Sequence, residues 1–207
     1  NAELLAQLQR IARGQRSRRA LFLHGEAGSG KTHLLNACCR LARDLSKPYA
    51  YLPMDGVEPD LAQLDRLASL DVDALVCVDD LQAAAASAAW QSALLGAYEH
   101  LQGGAGAIVA AADAPLRALH LCLKDLESRL QSGGVHRLAR LSEADQRAAL
   151  QSRARHKGFD LNDQALRFIL TYYRRDTASL FALLERIDNA SLTQQRKITV
   201  PFLRTLL

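Results

Sequence analysis

No C-x-x-C pair, no H-x-x-x-H pair, no apolar run of membrane-spanning length and no internal repeat occurs in the 207 residues. Each absence removes a class of function. The four cysteines (Cys38, Cys39, Cys77, Cys122) lack the spacing of a zinc ribbon or dithiol centre. Three stand in apolar stretches, so they read as reduced core residues of a cytosolic protein. The six histidines offer no paired metal site. Without a long apolar run no transmembrane helix is expected, and the first residues are no signal peptide. The expected location is the cytoplasm, with no membrane partner. The only low-complexity stretch is Ala83–Ala86. The sequence begins without Met, so a trimmed leader is expected.

Charge is uneven. The net charge is +4, but residues 140–207 carry 12 Lys/Arg against 7 Asp/Glu, and residues 1–139 carry 14 against 15. A second basic group, Arg10, Arg13, Arg16, Arg18 and Arg19, precedes the first expected strand. Two readings stand: solvated helix ends and linker, or contact with phosphates of a nucleotide or nucleic acid. Hydrophobic residues at 49% and charged residues at 23% are ordinary for a globular protein, and the length suits one α/β domain plus a small second one.

What the chain does have is Gly25-Glu26-Ala27-Gly28-Ser29-Gly30-Lys31-Thr32, a complete G-x-x-x-x-G-K-[ST] phosphate-binding loop. The glycines let backbone N–H groups close around a β-phosphate. Lys31 offers a point charge to the β/γ oxygens, and the Thr32 hydroxyl is placed to ligate Mg²⁺. The flanks agree. Ala20–His24 reads as a short buried strand, and Leu34, Leu35, Cys38, Leu41, Ala42 and Leu45 fall at helical spacing. His33 is expected on that helix, beside the nucleotide.

Further along, residues 2–13 read as an amphipathic helix. Strands are expected at Tyr49–Leu52, Ala74–Val78, Ala107–Ala112 and Val135–Leu138. Helices are expected near 61–68, 87–102, 116–121 and 126–130. Alternating strands and helices imply a parallel sheet covered on both faces. Asp79 and Asp80 follow the fully apolar third strand. At its carboxyl end a carboxylate can hold Mg²⁺ through water opposite Thr32. After residue 140 the pattern becomes helical only. Ser142-Glu143-Ala144-Asp145 starts one helix, Asn162 or Asp163 a second, residues 177–193 form a third, and Thr199 with Pro201 opens a fourth. The expected organisation is an α/β nucleotide-binding domain over 1–139 and a small all-α domain over 140–207.

This layout, with its motifs, resembles the AAA+ proteins related to DnaA. Gly30-Lys31-Thr32-His33-Leu34-Leu35-Asn36-Ala37 looks like their Walker A helix, and Val76-Cys77-Val78-Asp79-Asp80-Leu81-Gln82 like their Walker B strand. The more discriminating parts are Arg153-Ala154-Arg155 with Gly158-Phe159-Asp160-Leu161, and the tail from Asn189 through Arg196-Lys197-Ile198-Thr199-Val200-Pro201-Phe202. Both are similar to the lid of the Hda group, the regulatory inactivators of DnaA.

The resemblance implies a parallel-sheet P-loop domain followed by a helical lid, with ADP or ATP and Mg²⁺ as ligands. Asp80 would stand where most AAA+ ATPases carry the Glu that activates water. Asp113, after the fourth strand, matches the polar sensor I residue, an ordinary turn Asp being the alternative. Arg129, in Leu126-Glu127-Ser128-Arg129-Leu130, matches the box VII arginine finger, which acts in trans on a neighbour's γ-phosphate. At sensor II the family's Arg is replaced by Ala178, so either Arg174 or Arg175 substitutes or lid contact with nucleotide is weaker. The implied partners are DnaA and the DNA polymerase sliding clamp. Homo-oligomerisation stays open, and any DNA contact is indirect or weak. Intrinsic ATPase activity is expected to be weak or absent, with the chain activating ATP hydrolysis on DnaA and so repressing re-initiation of chromosome replication. The group's Gln-Leu-x-Leu clamp peptide has only a poor counterpart in Gln7-Leu8-Gln9-Arg10, so the true motif is expected to be absent or trimmed. Two alternatives remain: the ATPase core of a DnaA-type initiator, or a DnaC-like helicase loader. DnaA-type initiators continue into a helix-turn-helix domain. With the sequence ending at Leu207, none is expected here.

Overall fold

The computed structural model describes residues 2–15, 19–54, 58–139, 142–173, 177–194 and 198–206. They group into two compact units. One holds Asn1–Glu26 and Lys31–Ala139; the other holds Arg140–Leu207 with Ala27–Gly30. Arg16, Arg18, Arg174, Arg175, Arg196 and Lys197 lie outside the described residues, as does the side chain of Ala178.

In the first unit, α1 (Ala2–Ala12), β1 (Ala20–His24), α2 (Lys31–Asp44), β2 (Tyr49–Pro53), α3 (Leu61–Ala68), β3 (Leu75–Asp79), α4 (Ala88–Leu101), β4 (Ala107–Ala112), α5 (Lys124–Ser132) and β5 (Val135–Arg137) follow one another. The strands make one parallel sheet in the order β2-β3-β4-β1-β5. Because successive strand residues point to opposite faces, each apolar strand feeds two cores. Phe22, Val76, Val78, Ile108 and Ala110 pack on one face with Trp90, Leu94 and Leu126. Leu21, Leu23, Cys77, Val109 and Ala111 pack on the other with Leu8 and Ile11 of α1 and Leu35 and Cys38 of α2. β4 is therefore apolar throughout and β1 and β3 are apolar up to their last residues, His24 and Asp79, while the edge strand β2 leaves Tyr49 exposed.

Two details go beyond the sequence reading. The alanine run is a short 3₁₀ turn, Leu81–Ala86, entered through Asp80 in the left-handed region at φ 57°. Ser87 then caps α4 by accepting from the Trp90 N–H, a contact worth about 1 kcal/mol at such sites. Arg19 belongs to neither of the two readings offered for the basic cluster. Its Nη1 donates to the carbonyls of Leu101 at 2.7 Å and Gly104 at 3.2 Å. Leu101 ends α4, where helix carbonyls have no helical partner, so Arg19 caps a helix C-terminus.

The second unit is helical: α6 (Glu143–His156), α7 (Asp163–Tyr172), α8 (Thr177–Gln194) and α9 (Val200–Arg204). Ser142 accepts from Asp145 N–H and Asn162 from Ala165 N–H, the caps that the sequence signals announce. α6 ends in a Schellman turn. Gly158 sits at φ 88°, its N–H donates to Arg155 O, and Phe159 N–H donates to Ala154 O. Phe159 then packs on a core of Leu150, Leu166, Ile169, Leu183, Leu184, Ile187 and Phe202. On the surface, Lys157 donates to Glu185 and Asp188, and Arg153 to Glu185. Among the described residues no helix is long and apolar enough to cross a membrane.

Candidate functional site

The strand order puts the motif residues at neighbouring strand ends. β4 lies between β1, which feeds the loop, and β3, which ends in Asp79. Gly25 N–H donates to Ala112 O across the β1–β4 seam. The loop, Asp113 and the Asp79-Asp80 pair thus leave from the carboxyl ends of three adjacent strands. In open α/β sheets that is where ligands bind.

The loop has the form a phosphate cradle needs. Gly28 and Gly30 adopt φ 78° and 94°, values that side-chain-bearing residues avoid. A Cβ at Gly30 would meet no atom within 4 Å, so the backbone there faces open space. Lys31 is buried, and its Nζ donates to Gly25 O at 2.6 Å and Glu26 O at 3.1 Å. The Ser29 hydroxyl is buried without a hydrogen-bond partner among the described residues. Buried hydroxyls normally find one, and a phosphate oxygen would supply it. Thr32 and His33 begin α2 on exposed positions. Asn36 Nδ2 donates to Thr32 O and fixes this first turn.

Asp79 is buried, with both carboxylate oxygens engaged. Oδ2 accepts from Tyr51 Oη at 2.9 Å, and Oδ1 from Asp80 N–H at 3.2 Å. Burial first, then the Asp79 hydrogen bond, pushes the Tyr51 hydroxyl well above its ordinary pKa, so it stays a donor. Each carboxylate oxygen keeps lone-pair capacity. With the exposed Thr32 hydroxyl, that donor set suits a Mg²⁺ ion held mostly by phosphate and water. Among the described residues no three His, Cys, Asp or Glu side chains form a metal cage.

Asp80 and Asp113 are joined through Gln82, a residue to which sequence reasoning gave no role of its own. Gln82 donates through Nε2 to Asp80 Oδ1 at 2.9 Å and accepts through Oε1 from Asp113 N–H at 3.2 Å. Gln91, fully buried, makes a longer link. Its Nε2 donates to Ala84 O and Ala85 O, and its Oε1 accepts from Leu123 N–H at the start of α5. Gln82 ends the Walker B-like stretch, but its bond to Asp113, like those of Gln91 to Leu123 and Tyr51 to Asp79, joins groups brought near only by folding. His24, stacked on Phe22 just before the loop, is held below its ordinary pKa by burial and by Arg137.

Arg129 stands apart from this cluster. It is exposed on α5, with its guanidinium carbon over the Tyr98 ring, 5.9 Å from the centroid. Tyr98 borders a cavity of about 290 Å³ that also touches Ala20 and Ala107, the first residues of β1 and β4. The phosphate loop leaves from the other end of β1. Cys38, Cys39 and Cys77 are buried and Cys122 is exposed, all free. Burial, then the neighbouring Cys39, raises the Cys38 pKa to about 12, which keeps that thiol protonated.

Comparison with known proteins agrees with this architecture. Residues 143–207 match the family model "Hda, lid domain". Domain III of the Thermotoga maritima replication initiation protein DnaA superposes with a TM-score of 0.76 at 19% identity, covering 97% of this chain and 88% of that one. AMPPCP-bound DnaA from Aquifex aeolicus gives 0.68 at 19%, covering 89% and 59%. The RuvB Holliday junction branch migration motor of T. maritima gives 0.68 at 18%, covering 97% and 65%. The chain spans about three-fifths of the length of the AMPPCP-bound DnaA chains it matches. It accordingly has the fold seen in DnaA domain III, an α/β P-loop domain followed by a helical lid, and residues 143–207 match the Hda lid-domain family.

Proposed function

We propose that the chain is an Hda-type regulator: it binds ADP or ATP in its own loop and promotes hydrolysis of ATP held by DnaA, so repressing re-initiation. The observation that carries this reading is the Hda lid match over residues 143–207, since P-loop and Walker B motifs are common to many families. The placement of Arg129 supports it: the guanidinium lies exposed over Tyr98, away from the Asp80–Gln82–Asp113 cluster.

In this reading Gly25–Lys31 and the Ser29 hydroxyl hold the phosphates, with His33 and Asp113 beside the nucleotide. Thr32 and Asp79 hold Mg²⁺, which when bound offsets phosphate charge. Asp80 orients water, and being one methylene shorter than Glu it does so poorly. Intrinsic hydrolysis is therefore slow. Arg129 acts on the ATP of a docked DnaA molecule, with the sliding clamp on DNA as the platform where the two meet.

The test mixes the chain with DnaA–ATP and clamp-loaded DNA and follows labelled nucleotide on DnaA. The expected result is conversion to ADP that needs both chain and clamp. No conversion overturns the reading. A steady-state rate of several turnovers per second by the isolated chain would point instead to an autonomous ATPase of the initiator or helicase-loader kind.

Lys31→Ala should weaken the chain's own nucleotide binding about 10-fold or more, from the ~1.5–3 kcal/mol of a charge-assisted hydrogen bond. Titration calorimetry with ADP and ATP measures it, and unchanged affinity would remove the loop as the site.

A further inference from the structure

We infer that Tyr98 is the positioning residue for Arg129, a fixed aromatic shelf that holds the guanidinium extended for a partner's phosphate. The inference rests on the regulator reading above.

Four observations lead to it. The ring belongs to α4 and Tyr98 is only 7% exposed, so the shelf itself is held. The Arg129 guanidinium carbon stands 5.9 Å from the ring centroid, within the range where a cation is drawn to an aromatic face. The helix that carries Arg129 is pinned along its length. Leu126 and Leu130 are buried, the Leu123 N–H is bound by Gln91, and Gly133 lies so close to Ala20 that no side chain fits between. Among the described residues Arg129 joins no carboxylate: Glu127 is taken by Lys124 at 2.9 Å, and Asp125, one turn back on the same face, forms no ion pair with it.

The chemistry of a cation held over a ring gives the arrangement its use. A carboxylate partner would occupy the guanidinium's in-plane N–H donors. An aromatic face offers no oxygen acceptor, so it draws the cation without taking its five N–H donors into an ion pair. Those are the donors that three equatorial oxygens of a γ-phosphoryl group need. A flexible arginine would have to be ordered at the moment of docking, and small misplacements of a catalytic group are costly. Tyr98 supplies that order beforehand.

The experiment compares wild type, Tyr98→Phe, Tyr98→Leu and Arg129→Ala in the DnaA–ATP conversion assay with clamp-loaded DNA, titrating the chain to saturation. Unfolding curves and ADP affinity are measured on the same samples. Tyr98→Phe keeps the ring face and should stay within about twofold of wild type. Tyr98→Leu should lower the saturating rate about tenfold, with the half-saturating concentration and ADP affinity unchanged. The Arg129 side-chain N–H resonance should lose its ring-current shift in Tyr98→Leu and keep it in Tyr98→Phe. A folded Tyr98→Leu chain with the wild-type saturating rate overturns this inference alone. So does a Tyr98→Phe chain as slow as Tyr98→Leu. A wild-type chain that converts nothing overturns the regulator reading, and this inference with it.

Discussion

Arg129→Ala should leave the chain's affinity for its own nucleotide unchanged and stop the clamp-dependent conversion of DnaA–ATP to DnaA–ADP. The two halves of the expectation have separate grounds. Arg129 lies over Tyr98, whose cavity borders the starts of β1 and β4, whereas the loop leaves β1 at its far end. Removing the side chain therefore takes nothing from Lys31 or the loop glycines. A finger acting in trans meets charge that develops only in the transition state, and such arginines are worth about 10³–10⁵ in rate in other nucleotide hydrolases. Arg129→Lys should do nearly as badly, because an ammonium is a point charge and cannot reproduce the planar fork. Thin-layer analysis of labelled nucleotide recovered on DnaA measures the effect. If Arg129→Ala converts at the wild-type rate, the finger lies elsewhere, and Arg117 or Arg137 becomes the next candidate.

Gly133→Ala should destabilise the first unit severely, and here the cause is space. Gly133 has ordinary helical dihedrals, φ −80° and ψ −20°. What it lacks is room. A Cβ would stand 1.7 Å from Ala20 O and 2.3 Å from Ala20 C, backbone atoms of the strand that feeds the phosphate loop. Either α5 or β1 has to move. Overpacking in a tight site costs about 1–3 kcal/mol and sometimes more, and a clash with central backbone belongs at the upper end. The midpoint of thermal unfolding should fall by roughly 6–12 °C, taking about 3 kcal/mol and 2–4 °C for each kcal/mol in a chain of this size. Gly96→Ala is the matched control. That glycine is exposed within α4 with nothing within 4 Å of an added Cβ. The substitution should stabilise by about 0.5–1 kcal/mol through helix propensity. Equal effects at the two positions would show that close approach is not what holds glycine at 133.

Much of the architecture is legible without coordinates because its causes are local. Ala107–Ala112 is apolar at every position, as a strand covered on both faces must be. Ser142 and Asn162 announce helix starts through side-chain oxygens that bond N–H groups three residues on. The phosphate loop is legible for the same reason. Gly28, Gly30 and Lys31 sit within one turn of chain, and their backbone demands are written in their residue types. The Leu81–Ala86 turn escapes such reading because an alanine run favours no particular short helix. What sets it is Asp80 turning left-handed at the end of β3.

The sequence by itself thus determined the kind of domain and the backbone form of the Gly25–Thr32 loop, since both follow from periodicity and from groups a few residues apart. Only the tertiary structure decided how those residues are held. β4 pairs between β1 and β3, so Gln82 can join Asp80 to an Asp113 that is 33 residues away in sequence. Tyr51 reaches Asp79 across 28 residues, and Arg19 reaches Gly104 across 85. Arg129 rests on Tyr98 for the same reason: α4 and α5 pack against one face of the sheet. No local spacing encodes such contacts. They exist because burying the two apolar faces of one sheet leaves these side chains a single set of neighbours.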